Sequence, residues 1–327
     1  MSKSDLIKNL EKERGSRVIS YITGDRPPFA TKIAGDVVPL LGNLLDDIGK
    51  VKKISLFLYT SGGDMLAPIR IVKLIRNHCE EFEVLIPYKA HSAGTLICLG
   101  ADVIVMGKLG ELTPVDPTTG HPFNPQNPTN PKERLEVSVE DLNSYLLFAK
   151  EKAKVKDEQM IDAYKLLVEK LHPLSIGNAY RAYRMARLLT ERLLWLHMDK
   201  ERDEEQLKKI VKEITGDITI HAYPIDRDEA ADLGLKVEKA EDELDKHMRK
   251  LYEIYAEEMK FGQPFHPNEL LSGRDFADIN RTGASLETVD SSYQFIFSGK
   301  VKKEIRDNRP AIDINFESQS WVKEKLV

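Results

Sequence analysis

The segment Ala90-His91-Ser92-Ala93-Gly94-Thr95 carries one serine among small residues. It follows the apolar run Phe82-Glu83-Val84-Leu85-Ile86-Pro87 and precedes Leu96-Ile97-Cys98-Leu99-Gly100-Ala101. The order reads as strand, tight turn and apolar helix. A serine at the mouth of such a helix has the next backbone N–H, that of Ala93, pointing the way its Oγ points, which is the geometry acyl transfer needs for an oxyanion. Upstream, Tyr59-Thr60-Ser61-Gly62-Gly63-Asp64 closes another run, Ile54-Ser55-Leu56-Phe57-Leu58. Paired glycines there let the backbone lie against a ligand and offer a second N–H with no Cβ in the way. The two turns frame one oxyanion hole, with Gly62 or Gly63 on one side, Ala93 on the other and Ser92 between.

Serine is a poor nucleophile until a base takes its proton. His221, just before Tyr223-Pro224, is the favoured base because an imidazole titrates near neutrality, and Asp116 or Asp217 could orient it. His121, in a proline-rich loop, is a second candidate. His91 points away if Ser92 faces the site and reads as structural. Asp64 and Asp116 flank the presumed cleft, but two carboxylates without histidines at ligand spacing read as turn caps rather than a metal site. With no zinc, phosphate-loop or dinucleotide pattern in the sequence, neither a metal nor a cofactor is expected.

Positioning these groups falls to a βαβ core. Apolar strands at 18–22, 54–58, 82–86 and 103–106 alternate with helices at 33–48, 67–78 and from Ser92, the pattern of a parallel sheet whose turns at the strands' carboxyl ends hold ligands. Residues 114–131 carry six prolines, which exclude helix and central strand. Ser138-Val139-Glu140-Asp141 reads as an N-cap with acid in the first turn. Helical pattern then runs to about 214, with breaks at His172-Pro173 and Gly177. A strand at 218–223, a short helix ending at Gly234, a helix at 241–260 and strands at 293–297 and 311–316 complete the chain.

The 327 residues are 41% hydrophobic and 31% charged, with net charge −5. Scattered basic residues predict no nucleic-acid partner. The charged N-terminal helix has no apolar leader, and no run of about 18 apolar residues occurs, so neither secretion nor membrane insertion is expected. Cys79 and Cys98, the two cysteines, fall in segments read as helical and suit reduced thiols in the cytoplasm.

Five motifs in order carry a family resemblance: Thr60-Ser61-Gly62-Gly63, Ser92-Ala93-Gly94-Thr95, Ala101-Asp102-Val103-Ile104-Val105-Met106, Gly110-Glu111-Leu112-Thr113-Pro114-Val115-Asp116-Pro117 and His221-Ala222-Tyr223-Pro224-Ile225, the last followed by Ala230-Ala231-Asp232-Leu233-Gly234-Leu235. Together they resemble the serine dehydrogenase proteinase family of the Clp/crotonase fold, a relative of signal peptide peptidase A and of the Clp protease proteolytic subunit. The resemblance implies an α/β fold, a Clp/crotonase-type ββα spiral core with an inserted helical arm and a C-terminal extension. The boundaries expected are 1–137 for the first part of the core, 138–214 for the arm, 215–240 for the closing strand and helix, and 241–327 for an extension of unassigned role.

The activity implied is a cytosolic serine peptidase forming an acyl-enzyme at Ser92, acting on a peptide or unfolded protein and assembling as a homo-oligomer. His221 stands near the place where the Clp subunit carries the acidic member of its triad. The interval in which that subunit carries its histidine here holds residues 113–117, without one. Signal peptide peptidase A uses a lysine, and the corresponding stretch here offers Lys150, Lys152, Lys154 and Lys156. Two rival readings share the fold: a crotonase-type acyl-coenzyme A enzyme holding an enolate on the same N–H pair, and a non-catalytic assembly protein.

Overall fold

The computed structural model describes residues 2–218, 220, 222–306 and 309–324. They divide into two units, one made of Met1–Leu112 with Ile225–Val327 and the other of Thr113–Pro224.

In the first unit the apolar runs become parallel strands. Val237–Lys239, Val103–Met106, Cys79–Ile86, Val51–Tyr59 and Arg17–Thr23 lie side by side in that order. Strands covered on both faces need apolar residues at every position rather than at alternate ones, and 54–59 are all buried. Phe57 and Tyr59 join a cluster with Leu6, Leu10, Leu251 and Tyr255 from the helices Lys3–Arg14 and Asp242–Met259. Leu58 looks the other way, toward Gly94 at the start of the helix Ala93–Leu99. Each such side chain withdrawn from water contributes about 1.5–3 kcal/mol.

The described residues of 241–324 are built into this unit. Its helix Asp242–Met259 covers the sheet, and Phe276–Glu287, Ser292–Arg306 and Arg309–Glu324 extend it to eight strands, the first pairing antiparallel with Arg17–Thr23. At the bulge between Thr282 and Ala284 the chains cross closely, and a Cβ on Gly283 would stand 2.3 Å from Phe297 Cε2 and 2.8 Å from Phe29 O. Gly283 O accepts the Gly24 N–H and the Thr31 hydroxyl, each at 2.7 Å.

Two expectations fail here. Cys79 opens the strand Cys79–Ile86 rather than ending a helix, because the preceding helix Ala67–Arg76 stops at Asn77. The described residues of 218–223 form no strand: the Tyr223 N–H turns back to Ile220 O, and the strand is Ile225–Asp226, antiparallel to Glu111–Leu112.

The second unit is mostly helical, with Val139–Glu151, Met160–Lys170, Pro173–Leu194 and Glu204–Lys212. Ser138 and Asp141 form the expected capping box. His172 caps the next-to-last of these helices through Nδ1, with Pro173 at its first position, while Gly177 lies inside that helix and does not interrupt it. Buried Asn124 donates to Thr119 O and Leu135 O at 2.7 and 2.9 Å, which closes the proline-rich loop.

Candidate active site

Ser92 sits between the two-residue strand Lys89–Ala90 and the helix Ala93–Leu99 with φ 49° and ψ −104°. An L-residue there is strained by about 1–3 kcal/mol, a cost that persists where the surroundings dictate it. Its hydroxyl does not cap the helix. The first helical turn closes instead through Gly94 N–H to His91 O at 2.7 Å and Leu96 N–H to Ser92 O at 3.1 Å. Ala93, first in the helix, has no carbonyl behind it to receive its N–H.

The glycine turn abuts this serine. A Cβ on Gly62, whose φ is 109°, would lie 3.0 Å from Ser92 Cβ and 3.5 Å from Ser92 Oγ. The Gly62 N–H is already given to Thr60 Oγ1 at 3.0 Å. Gly62 therefore supplies close approach to Ser92, and its N–H has an acceptor inside the turn. Gly63 bridges in parallel to Ile33. That bridge uses Gly62 C=O, which accepts from Ile33 N–H at 2.9 Å, and Asp64 N–H, which donates to Ile33 O at 2.8 Å. In the trans Gly62–Gly63 peptide the N–H points opposite to the C=O that faces Ile33, so the Gly63 N–H lies on the edge away from Ile33.

Thr60 knits the two turns together. Its N–H donates to Lys89 O at 2.9 Å and its carbonyl accepts from His91 N–H at 3.1 Å. Its Cγ2 would be 2.5 Å from any Cβ on Gly94. Sequence reading overlooked this residue, although a threonine two positions before a turn glycine is the pattern of a hydroxyl accepting the N–H two residues on.

The remaining charged groups separate by role. Asp64 Oδ1 accepts the Leu66 N–H, a turn cap. His91 Nε2 meets Glu111 Oε1 at 2.9 Å. In the second unit, Asp116 is buried, and burial followed by the charges of Asp116, Asp217 and Asp141 pushes the Glu140 carboxyl above its ordinary range. Glu140 lines a cleft of about 600 Å³ with Leu146, Leu147, Met160, Tyr183 and Asp217.

His121 Nδ1 accepts the Phe123 N–H within its own turn. Lys150, Lys152, Lys154 and Lys156 are all exposed, and the hydrogen bond from Lys150 to Asp157 at 2.9 Å raises its pKa, the reverse of what a base requires. His221 lies outside the described residues. Among the described residues no group of three or more His, Cys, Asp or Glu could hold a metal ion, and no helix is long and apolar enough to cross a membrane.

Residues 45–197 match the model of a family described as ClpP-like SDH-type serine proteinase, and that stretch is similar to this family. Two uncharacterized proteins of Methanocaldococcus jannaschii are similar. One is 29% identical over 58% of this chain and 54% of its own length. The other is 25% identical over 79% of this chain and 78% of its own. The chain thus spans about half the length of the first of these relatives. Among solved structures, a mutant of the 1510-N membrane-bound stomatin-specific protease in complex with a substrate peptide has a TM-score of 0.37 at 16% identity. That likeness covers 69% of this chain and 77% of the other.

Proposed function

We propose, from the match of residues 45–197 to the family described as ClpP-like SDH-type serine proteinase, that this chain is a serine endopeptidase working through an acyl-enzyme at Ser92. A peptide extended along the Gly63 edge left open by Ile33 would pair with main-chain groups there, a mode that tolerates many side chains. Ser92 Oγ attacks the scissile carbonyl carbon as its proton passes to the base. The oxyanion so formed is held by the Gly63 and Ala93 N–H groups. Collapse returns the proton to the leaving amine, and water then attacks the ester by the same route in reverse. His221 is the base in this account and Asp116 its orienting carboxylate, both taken from the sequence.

One observation carries the reading: the backbone of Ser92 at φ 49° and ψ −104°. Glycine would occupy that turn without strain, so a serine kept there is kept for its hydroxyl. The acyl-coenzyme A rival needs only the two N–H groups, and the non-catalytic rival needs neither. Free Cys79 and buried Cys98, both with thiols pushed up in pKa by burial, suit a reducing compartment, and the cytoplasm is the proposed location.

A fluorophosphonate probe tests the nucleophile. The native protein should label and Ser92→Ala should not. Undiminished labelling of the variant removes Ser92 from the role, and a native protein that fails to label removes the peptidase reading. Peptide hydrolysis should fall on acidification with an apparent pKa of about 6–7 if His221 is the base, whereas a rate still rising at about pH 9 would name a lysine.

A further inference from the structure

Thr60 is fully buried, and its Oγ1 is the centre of a small hydrogen-bond cluster. It accepts the Thr23 hydroxyl at 2.8 Å and the Gly62 N–H at 3.0 Å, and its own hydroxyl faces Gly62 O at 3.4 Å. Its backbone grips the segment that carries Ser92 through Lys89 O and His91 N–H, while its Cγ2 rests against Gly94. One residue therefore fixes the glycine turn, the strand before the serine and the first turn of the helix after it.

We propose that Thr60 is a positioning residue that selects Gly63 over Gly62 as the oxyanion donor and holds it in register with Ala93. The chemical reason is a competition between adjacent N–H groups. The Gly62 N–H is spent on Thr60 Oγ1 at 3.0 Å, so of the two glycines it is Gly63 whose N–H can serve the serine. Holding the Gly62 N–H on Thr60 Oγ1 fixes the Ser61–Gly62 peptide, and the Thr60 hydroxyl at 3.4 Å from Gly62 O, beside the Ile33 N–H on the same oxygen, sets the Gly62–Gly63 peptide and so the aim of the Gly63 N–H. Thr23 Oγ1, the second partner, directs the lone pairs of Thr60 Oγ1 by donating to it, so the relay runs Thr23, Thr60, Gly62, Gly63. Donors preorganised at the place where charge develops act on the transition state more than on the bound ground state.

The inference rests on the serine-peptidase reading, and a fluorophosphonate separates the two. Its phosphonyl oxygen takes the place of the oxyanion, and saturation kinetics resolve the maximal inactivation rate from the half-saturating concentration. Thr60→Val keeps the shape and removes the oxygen, whereas Thr60→Ser keeps the oxygen and removes the methyl group that meets Gly94. Thr60→Val should lower the maximal inactivation rate about 10- to 100-fold, less than the roughly 100- to 1,000-fold loss of a whole donor, with the half-saturating concentration little changed. Thr60→Ser should restore most of that rate even where it lowers the thermal midpoint.

Thr23→Val, in which Thr60 still accepts the Gly62 N–H, should show a smaller loss of the same kind, and it decides the matter should Thr60→Val not fold. A native protein that does not label overturns the peptidase reading. A native protein that labels, with Thr60→Val labelling at the native maximal rate, overturns the relay alone. So does a loss shared equally by Thr60→Val and Thr60→Ser in step with their melting, since that pattern belongs to packing.

Discussion

In the unit of Met1–Leu112 and Ile225–Val327, large side chains such as Phe57, Tyr59, Leu85 and Tyr255 are fully buried. In Thr113–Pro224, by contrast, Leu147, Phe148, Ile161, Leu166, Leu174 and Tyr180 are each more than half exposed. The first unit satisfies its apolar residues with its own sheet and helices. The second carries apolar surface that water disfavours at roughly 25 cal/mol per Å². Rigidity at the proposed catalytic turn thus resides in the self-contained unit, and the homo-oligomer we propose would be built on the other.

Buried charge sharpens this contrast. Glu83 is 2% exposed and receives Arg14 Nη2 at 2.8 Å, Lys53 Nζ at 2.8 Å and Ser55 Oγ at 2.6 Å, tying the first helix to two central strands. Burial alone would raise its pKa, but the hydrogen bonds from Arg14, Lys53 and Ser55 outweigh burial and hold it below the ordinary 4.5. Glu83→Ala takes the described partner from Lys53 and leaves Arg14 with Glu238 alone, and should lower the stability of the first unit by about 2–4 kcal/mol, seen as a denaturation midpoint independent of protein concentration. A loss under about 1 kcal/mol would mean the pair is not buried as described.

The exposed surface of the second unit supplies the next largest effect. Light scattering at micromolar concentration should return a mass above the 37.2 kDa of one chain. Phe148→Glu combined with Leu166→Glu should weaken the assembly by roughly 100-fold, because two large apolar side chains lose their cover. A native protein that scatters as one chain would break the comparison, since its exposed residues would then need no partner.

The smallest effect is one of sign. Glu83, depressed in the folded state, gives stability that is complete above pH 4.5 and is lost as pH falls through its lowered value. Glu140 is raised, so its contribution is present at acid pH and is lost as pH rises from 4.5 through its elevated value. Glu140→Gln should therefore raise the melting temperature at pH 7 by about 1–3 °C and flatten the acid limb of the second unit. A lower melting temperature for Glu140→Gln would show that its charged form is satisfied.

Much of this was legible in the sequence where the cause is local. The parallel strands were written in apolar runs, the Ser138 capping box in four residues, and the serine turn in its small neighbours. What was not legible depends on partners far along the chain. The strand Phe276–Glu287 pairs with Arg17–Thr23, and no local pattern marks that pairing, so 241–327 read as an extension. The two glycines of the turn looked equivalent as donors because the choice lies in where the Thr60 hydroxyl sits. Composition could not show the positive φ of Ser92 either, since residues of that type seldom adopt it.

The central claim is that this strain is retained for the hydroxyl, and substitution of Ser92 by glycine tests it most directly. Thermal melting of Ser92→Gly should exceed that of both the native protein and Ser92→Ala by a few degrees, as about 1–3 kcal/mol of strain is released and partly offset by the greater freedom of the unfolded glycine chain. Ser92→Ala should melt as the native protein does, and neither variant should take the fluorophosphonate label. A Ser92→Gly protein that melts no higher than the native one, or that still labels, would contradict the account.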